Sequence, residues 1–222
     1  MKTISVELTF TESLLGTKPL KAEIFQEFVA KKKIGAVPKD ELDANVRLEA
    51  EIEDRETQGT GFDRDASGNP ILFDYQLRGQ FKDACKALSK CPGMHSVAYK
   101  SNYKSLIDGT VFIQERQIPI ELPEGATIGI CERPLRAQTM QGERVALASS
   151  EEIPAGAKIR FTILLLQPAL KNAVLEWLDY GRLRGLGQWR NGSHGRFTYV
   201  ITGETGNDAV EDDASKKKAK SK

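Results

Sequence analysis

Lys158-Ile-Arg-Phe-Thr-Ile-Leu-Leu-Leu166 reads as the clearest buried strand, and its Phe161–Leu166 part is the longest apolar stretch of the chain. Pro168 follows it, suited to the first turn of a helix. Leu170, Ala173, Val174, Trp177 and Leu178 then recur at helical spacing. Next comes Gly181-Arg-Leu-Arg-Gly185-Leu-Gly187-Gln-Trp-Arg190-Asn-Gly192-Ser-His194-Gly195-Arg196, and Phe197-Thr-Tyr-Val-Ile201 ends the stretch as a second strand. The order is strand, helix, glycine-rich loop, strand.

The other end of the chain carries a matching start. Ile4, Val6, Leu8 and Phe10 alternate with polar residues, as in a half-buried strand. Thr11–Gly16 reads as a loop. Helical spacing is expected over 19–32 (Leu20, Ile24, Phe25, Phe28, Val29), and a second, charged helix from Pro38 to about Glu53. Gln58–Pro70 is turn-rich, and Ile71–Phe73 is extended. From Tyr75 to Leu88 the period is helical again: Leu77, Phe81, Ala84, Cys85 and Leu88 share one face, and Arg78, Lys82 and Lys86 share another. Further strands are expected within 110–122, over Thr127–Cys131 and, more weakly, over Arg144–Leu147. Two helices alternating with sheet strands predict an α+β fold with a split β-α-β arrangement. The chain then divides into one elaborated domain over 1–203, with an insertion at about 11–70, and a charged tail over 204–222. The tail, with its acids followed by lysines and almost no apolar residue, is expected to be disordered.

With 222 residues the chain is long enough to bury a full core. No apolar run reaches about 18 residues, so no membrane span is predicted. The alternating N-terminus does not look like a signal peptide, and three cysteines make no complete disulfide framework. These features predict a cytoplasmic protein. Cys85, Cys91 and His95 lack the paired spacing and fourth ligand of a zinc site, so no metal and no cofactor are expected. There is no Walker loop, nucleophile elbow or His-Glu-x-x-His. Gly181-x3-Gly185-x-Gly187 lacks the preceding strand that a dinucleotide fingerprint needs. The net charge of +1 argues against a surface that binds nucleic acid everywhere, yet residues 182–196 carry only basic charges.

That local imbalance is the functional clue. Glycine lets a ligand approach the backbone closely, and arginine supplies a planar, permanently charged fork for phosphate. Gly185, Gly187, Gly192 and Gly195 are candidate amide donors to a polyanion. Arg182, Arg184, Arg190 and Arg196 are its candidate counter-charges. Trp189 is a candidate stacking surface for a base. Arg78 and Lys82, with Lys86 behind them, are a candidate second basic edge. His194 is the one candidate general base, for a ribose hydroxyl.

Two segments together resemble a known family. Phe62-Asp-Arg-Asp-Ala-Ser-Gly-Asn-Pro70-Ile-Leu-Phe-Asp-Tyr-Gln-Leu-Arg78-Gly79-Gln-Phe-Lys82-Asp-Ala84 resembles the D-x-x-G-x-P-x-I-x-G-S-S-L-K-G-x-L-R stretch of the RAMP superfamily, the RNA-binding subunits of CRISPR effector complexes. Leu77-Arg78-Gly79 stands where those proteins have Leu-Lys-Gly, and Asp74-Tyr75-Gln76 replaces their Gly-Ser-Ser. Arg184–Phe197 is similar to the superfamily's C-terminal glycine-rich loop, and Arg133-Pro-Leu-Arg136 is compatible with it. The resemblance implies a ferredoxin-like fold akin to the RNA-recognition motif. It implies a non-catalytic subunit that holds single-stranded (guide) RNA in a CRISPR-like ribonucleoprotein, across the sheet or beside the glycine loop. Self-association or sister subunits are the implied protein partners. Some relatives cut target RNA with a loop aspartate and a metal, so Asp40, Asp43, Asp63 and Asp65 are noted. Two other readings stay open: a metal-independent endoribonuclease using His194, and a phage structural or interaction protein that keeps only the fold.

Overall fold

The computed structural model describes residues 1–20, 59–139 and 142–206. Strands β1 (Lys2–Phe10), β2 (Leu14–Leu15), β3 (Lys18–Pro19), β4 (Gly59–Gly61), β5 (Asp63–Arg64) and β6 (Pro70–Phe73) precede helix α1 (Asp74–Leu88). A 3₁₀ turn (His95–Tyr99) leads to α2 (Tyr103–Thr110), and β7 (Val111–Ile113), β8 (Gln117–Pro119), β9 (Gly129–Thr139), β10 (Gly142–Ile153) and β11 (Lys158–Leu165) follow. Helix α3 (Lys171–Arg184) and β12 (Phe197–Thr205) complete the described chain.

The result is a mixed α+β architecture with three sheets. The main sheet has the order β12-β1-β11-β7, every neighbouring pair antiparallel. Strands β11 and β12 therefore run the same way and flank β1, with α3 as their connection. β1 and β7 are related in the same way across β11. A second sheet joins β2, β10, β4 and β3, with β9 on β10, and a third joins β5, β6 and β8.

Alternation decides which face of the main sheet is covered. In β1 every second residue from Lys2 to Phe10 is buried. In β11 Ile159, Phe161, Ile163 and Leu165 are buried on the same side. Leu77, Phe81, Ala84 and Cys85 of α1 and Ala173, Val174, Trp177 and Leu178 of α3 close over them. The two helices touch through Phe81 and Trp177, whose ring centroids lie 5.8 Å apart, and through Gln80, whose amide donates to the Trp177 carbonyl at 2.9 Å. Lys2 shares the parity of this apolar face; it is fully buried and ion-paired to Glu204 at 2.5 Å.

Several expectations change. Thr11–Gly16 is not a plain loop, because Leu14 and Leu15 are fully buried and pair as β2 with β10. The helix expected from residue 19 begins as strand β3, and residues 21–58, with the rest of that helix, the charged helix, Asp40 and Asp43, lie outside the described residues. The strand expected within 110–122 is two short ones, β7 and β8. Strand β12 runs past Ile201 to Thr205, so Glu204 belongs to the sheet and not to the tail; residues 207–222 lie outside the described residues. Helix α2 occupies a segment in which the sequence pattern predicts no element.

Candidate nucleic-acid interface

The glycine loop begins where α3 stops. Gly185 caps the helix at φ 82°, and its amide donates to the Gly181 carbonyl at 2.8 Å. The loop then closes on itself. The Leu186 amide donates to the Gly195 carbonyl at 2.9 Å, and the Gly195 amide donates to the Ser13 carbonyl at 2.8 Å. A side chain at either end would prevent this closure: a Cβ on Gly195 (φ 70°) would fall 1.8 Å from the Leu186 oxygen, and one on Gly185 2.3 Å from the His194 oxygen. Leu186 is buried in the core and pins the base of the loop. Gln188–Ser193 project from that base. The expectation that the glycine amides point at a ligand is therefore narrowed. Those of Gly185, Gly192 and Gly195 already donate to carbonyls of this chain, and a Cβ on Gly192 would lie 2.9 Å from the Trp189 indole.

The basic residues fall into distinct sets. On α1, Arg78 meets Asp74 at 2.6 Å, and Lys82 meets Asp108 of α2 at 2.5 Å. These two face α2, while Lys86 is exposed. Gln76, Gly79, Gln80 and Asp83 face the loop instead. Asp83 receives both Arg190 at 2.9 Å and Arg184 at 3.5 Å, and Arg184 also donates to the Asn191 side chain. Two guanidinium groups thus share one carboxylate and leave excess positive charge. Arg182 meets Asp179 at 3.5 Å, both side chains being more than half exposed. Arg196 has its Nε buried without a hydrogen-bond partner. Between α1 and the loop lies a cleft of about 490 Å³, bordered by Tyr75, Gln76, Gly79, Leu186, Gly187 and Arg190. At its mouth the Tyr75 ring stacks on Phe73, centroids 5.5 Å apart. Burial, then Asp63 and Asp74, push the Tyr75 phenol above its ordinary range.

Trp189 is 40% exposed, but its ring is not bare. The His194 imidazole stacks on it at 5.0 Å, and the Arg133 guanidinium of β9 lies 4.9 Å from its centroid. His194 Nδ1 is 2.9 Å from Ser13 Oγ. A base stacking where His194 or Arg133 lies on this indole has to displace that group. Beneath them, Arg133 Nη1 donates to Ser150 Oγ at 3.1 Å, and Ser150 and Thr60 hydroxyls converge on Gln188 Oε1 at 3.0 and 2.8 Å. Arg133, Ser150, Thr60, Gln188 and Ser13 are not among the site residues that the sequence pattern singles out. They come from five separate segments, and only the fold brings them together.

The acidic alternatives are occupied otherwise. Asp63 is ion-paired to Lys18 at 3.0 Å. Asp65 is clasped by the amide and side chain of Asn69, which hold its carboxyl below the ordinary range. Among the described residues no three His, Cys, Asp or Glu side chains converge as a metal site, and no helix is long and apolar enough to cross a membrane.

This is a mixed α+β protein whose most basic loop is wedged between its two core helices and its second sheet. A chain of the cryo-EM structure of the Type III-B Cmr-beta bound to cognate target RNA is similar in fold, with a TM-score of 0.50 at 10% identity over 92% of this chain and 60% of that one. A chain of a Type IV-B CRISPR complex matches with a TM-score of 0.49 at 14% identity, over 95% of this chain and 94% of that one. The chain thus spans 60% of the length of the Cmr-beta chain, and the likeness is one of fold. No protein-family model and no curated protein matches the sequence.

Proposed function

We propose that the protein is an RNA-binding subunit of RAMP type. It holds single-stranded RNA by its backbone in a CRISPR-like ribonucleoprotein, beside copies of itself or sister subunits. In this reading the core is ferredoxin-like: the strands β1, β7, β11 and β12, numbered one to four, lie in the order 4-1-3-2. The fold likeness to a chain from an RNA-bound Cmr-beta structure is consistent with it. The observation that carries it is the charge balance at the loop. Arg184 and Arg190 share the single carboxylate of Asp83, and Arg133 and Arg196 have no ion-pair partner among the described residues. Such a surplus beside an open cleft suits a polyanion. The outer face of the main sheet suits it less. Glu7 lies there, clasped by Lys158 and Arg160, amid Thr3, Ser5 and Thr9. Its aromatic, Phe112, sits at the β7 edge.

The test is binding of a labelled single-stranded RNA, with matched DNA, at two salt concentrations, with the products run on a denaturing gel. The protein is expected to bind intact RNA in a salt-sensitive way. The triple variant Arg184→Ala, Arg190→Ala, Arg196→Ala should lose about 10- to 100-fold in affinity, with a shallower salt slope. Unchanged affinity and slope in the triple variant, or no binding by the native chain at physiological salt, would overturn the reading. The same gel reads a second possibility. In the tautomer in which His194 Nδ1–H donates to Ser13 Oγ, Nε2 carries the lone pair that a general base needs. Cleavage lost in His194→Ala would support that activity.

A further inference from the structure

Arg133 is a charge that the fold has buried without a counter-ion. It is 5% exposed. Its Nη1 has one acceptor, a neutral hydroxyl, and its Nε is buried with none. Among the described residues no carboxylate lies within ion-pairing distance of it. Three other enclosed basic groups are treated differently: Lys2 has Glu204, Arg78 has Asp74, and Arg190 has Asp83. Arg196 also has its Nε buried and unpartnered, but its residue is less buried than Arg133. A desolvated guanidinium without an anion is costly. What offsets the cost in the free protein is the Trp189 ring at 4.9 Å. That ring is held there by an unusual backbone. Trp189 has φ 51° and Ser193 φ 69°, both in the left-handed region that residues with a Cβ avoid. The guanidinium's hydrogen-bonded neighbour is the Ser150 hydroxyl, which is linked in turn to Thr60 and Gln188; all three are neutral and do not repel a phosphate.

We propose that Arg133 is the seat of one phosphate of the bound RNA, and that Trp189 is its displaceable cover. A phosphodiester takes the unpaired Nε and a neighbouring Nη as a bidentate pair. The indole leaves the guanidinium as it does so and is released to stack on the adjoining base. Arg184 and Arg190 have part of their charge already offset by Asp83, whereas Arg133 gives up only a ring. It should therefore contribute more to affinity than either, although it lies far from the loop in sequence. This inference rests on the RNA reading above and assigns a particular residue within it.

The experiment uses the full chain, a labelled single-stranded RNA and tryptophan emission. Trp177 is fully buried, so a Trp189→Phe variant supplies the background signal. The native chain should change its Trp189 emission on binding RNA. Arg133→Gln should lose about tenfold in affinity and about one counter-ion of salt slope. Arg133→Lys keeps a charge without the fork and tests the point independently, should the glutamine variant fold poorly by circular dichroism. It should bind about threefold more weakly with the native salt slope. If RNA binds and the folded Arg133 variants match the native chain, the seat is wrong and the RNA reading stands. If RNA binds without any change in Trp189 emission, the cover has not moved and the proposal also falls. If no RNA binds, the RNA reading fails, and pyrophosphate titration decides the seat by itself. An emission change that requires Arg133 would keep an anion site, and none would remove it.

Discussion

Two glycines, one in the loop and one bordering the cleft, have opposite physical reasons. Gly195 is needed for shape: at φ 70°, with the Leu186 carbonyl 1.8 Å from the place of a Cβ, no side chain fits without reopening the loop. Gly195→Ala is expected to cost about 2–4 kcal/mol, as backbone strain and a lost loop closure combine. A urea midpoint within error of the native one would contradict the closure described. Gly79 is the reverse. It sits inside α1, exposed, with nothing within 4 Å of the place a Cβ would take. Helix propensity alone favours alanine there, and Gly79→Ala should raise stability by about 0.5–1 kcal/mol. What a glycine leaves there is room in the cleft. Gly79→Gln should thus fold as well as the native chain yet bind RNA several-fold more weakly, roughly as expected for a blocked groove. Equal RNA affinity in Gly79→Gln would place the strand elsewhere.

At the scale of elements, α1 works with two partners, and its charges divide between them. Arg78 and Lys82 meet Asp108 of α2, while Asp83 meets Arg184 and Arg190 from the loop. Asp83 then competes with RNA for the loop arginines. Asp83→Asn should strengthen RNA binding about threefold and steepen its salt dependence, because an anion has been removed from a partly screened site. Weaker binding instead would mean that Asp83 mainly positions those arginines. Such division is only half legible in the sequence. Periodicity places Leu77, Phe81, Ala84 and Cys85 on one face and the basic stripe on another, since both follow from local helix geometry. It cannot say what packs against the stripe, because α2 spans only 8 residues, about two turns, too few for a helical period to stand out in the sequence. Alternation likewise exposes β1, and an apolar run exposes β11. Neither gives a hint of β2, whose two leucines become a strand only through pairing with β10. The glycine loop is legible from composition. Arg133 as its partner is not, because nothing local in Arg133-Pro-Leu-Arg136 encodes contact with Trp189.

Across the whole molecule, ion pairs fasten the main sheet at its seams, and they set how stability responds to pH. Glu7 of β1 is held below its ordinary value of 4.5 by hydrogen bonds from Lys158 and Arg160, which tie β1 to β11. Glu204 of β12 is held low by Lys171 of α3 and Lys2 of β1. Both carboxylates are easier to ionise folded than unfolded. Their contribution is complete above the ordinary value and is lost as pH falls through the depressed folded values. Tyr199 works at the other end. Burial, and then the charge and hydrogen bond of Asp179, raise its phenol from 10 to about 12. The folded state keeps a proton that the unfolded chain releases. That contribution is present below pH 10 and is lost as pH rises from 10 towards about 12. Urea midpoints measured across pH should therefore form a plateau with a falling limb on each side. Glu7→Gln and Glu204→Gln should lower the plateau and flatten the acid limb. Tyr199→Phe should flatten the alkaline limb while leaving the acid one alone. An alkaline limb unchanged in Tyr199→Phe would assign it to other groups and detach Tyr199 from the α3–β12 seam beneath the loop.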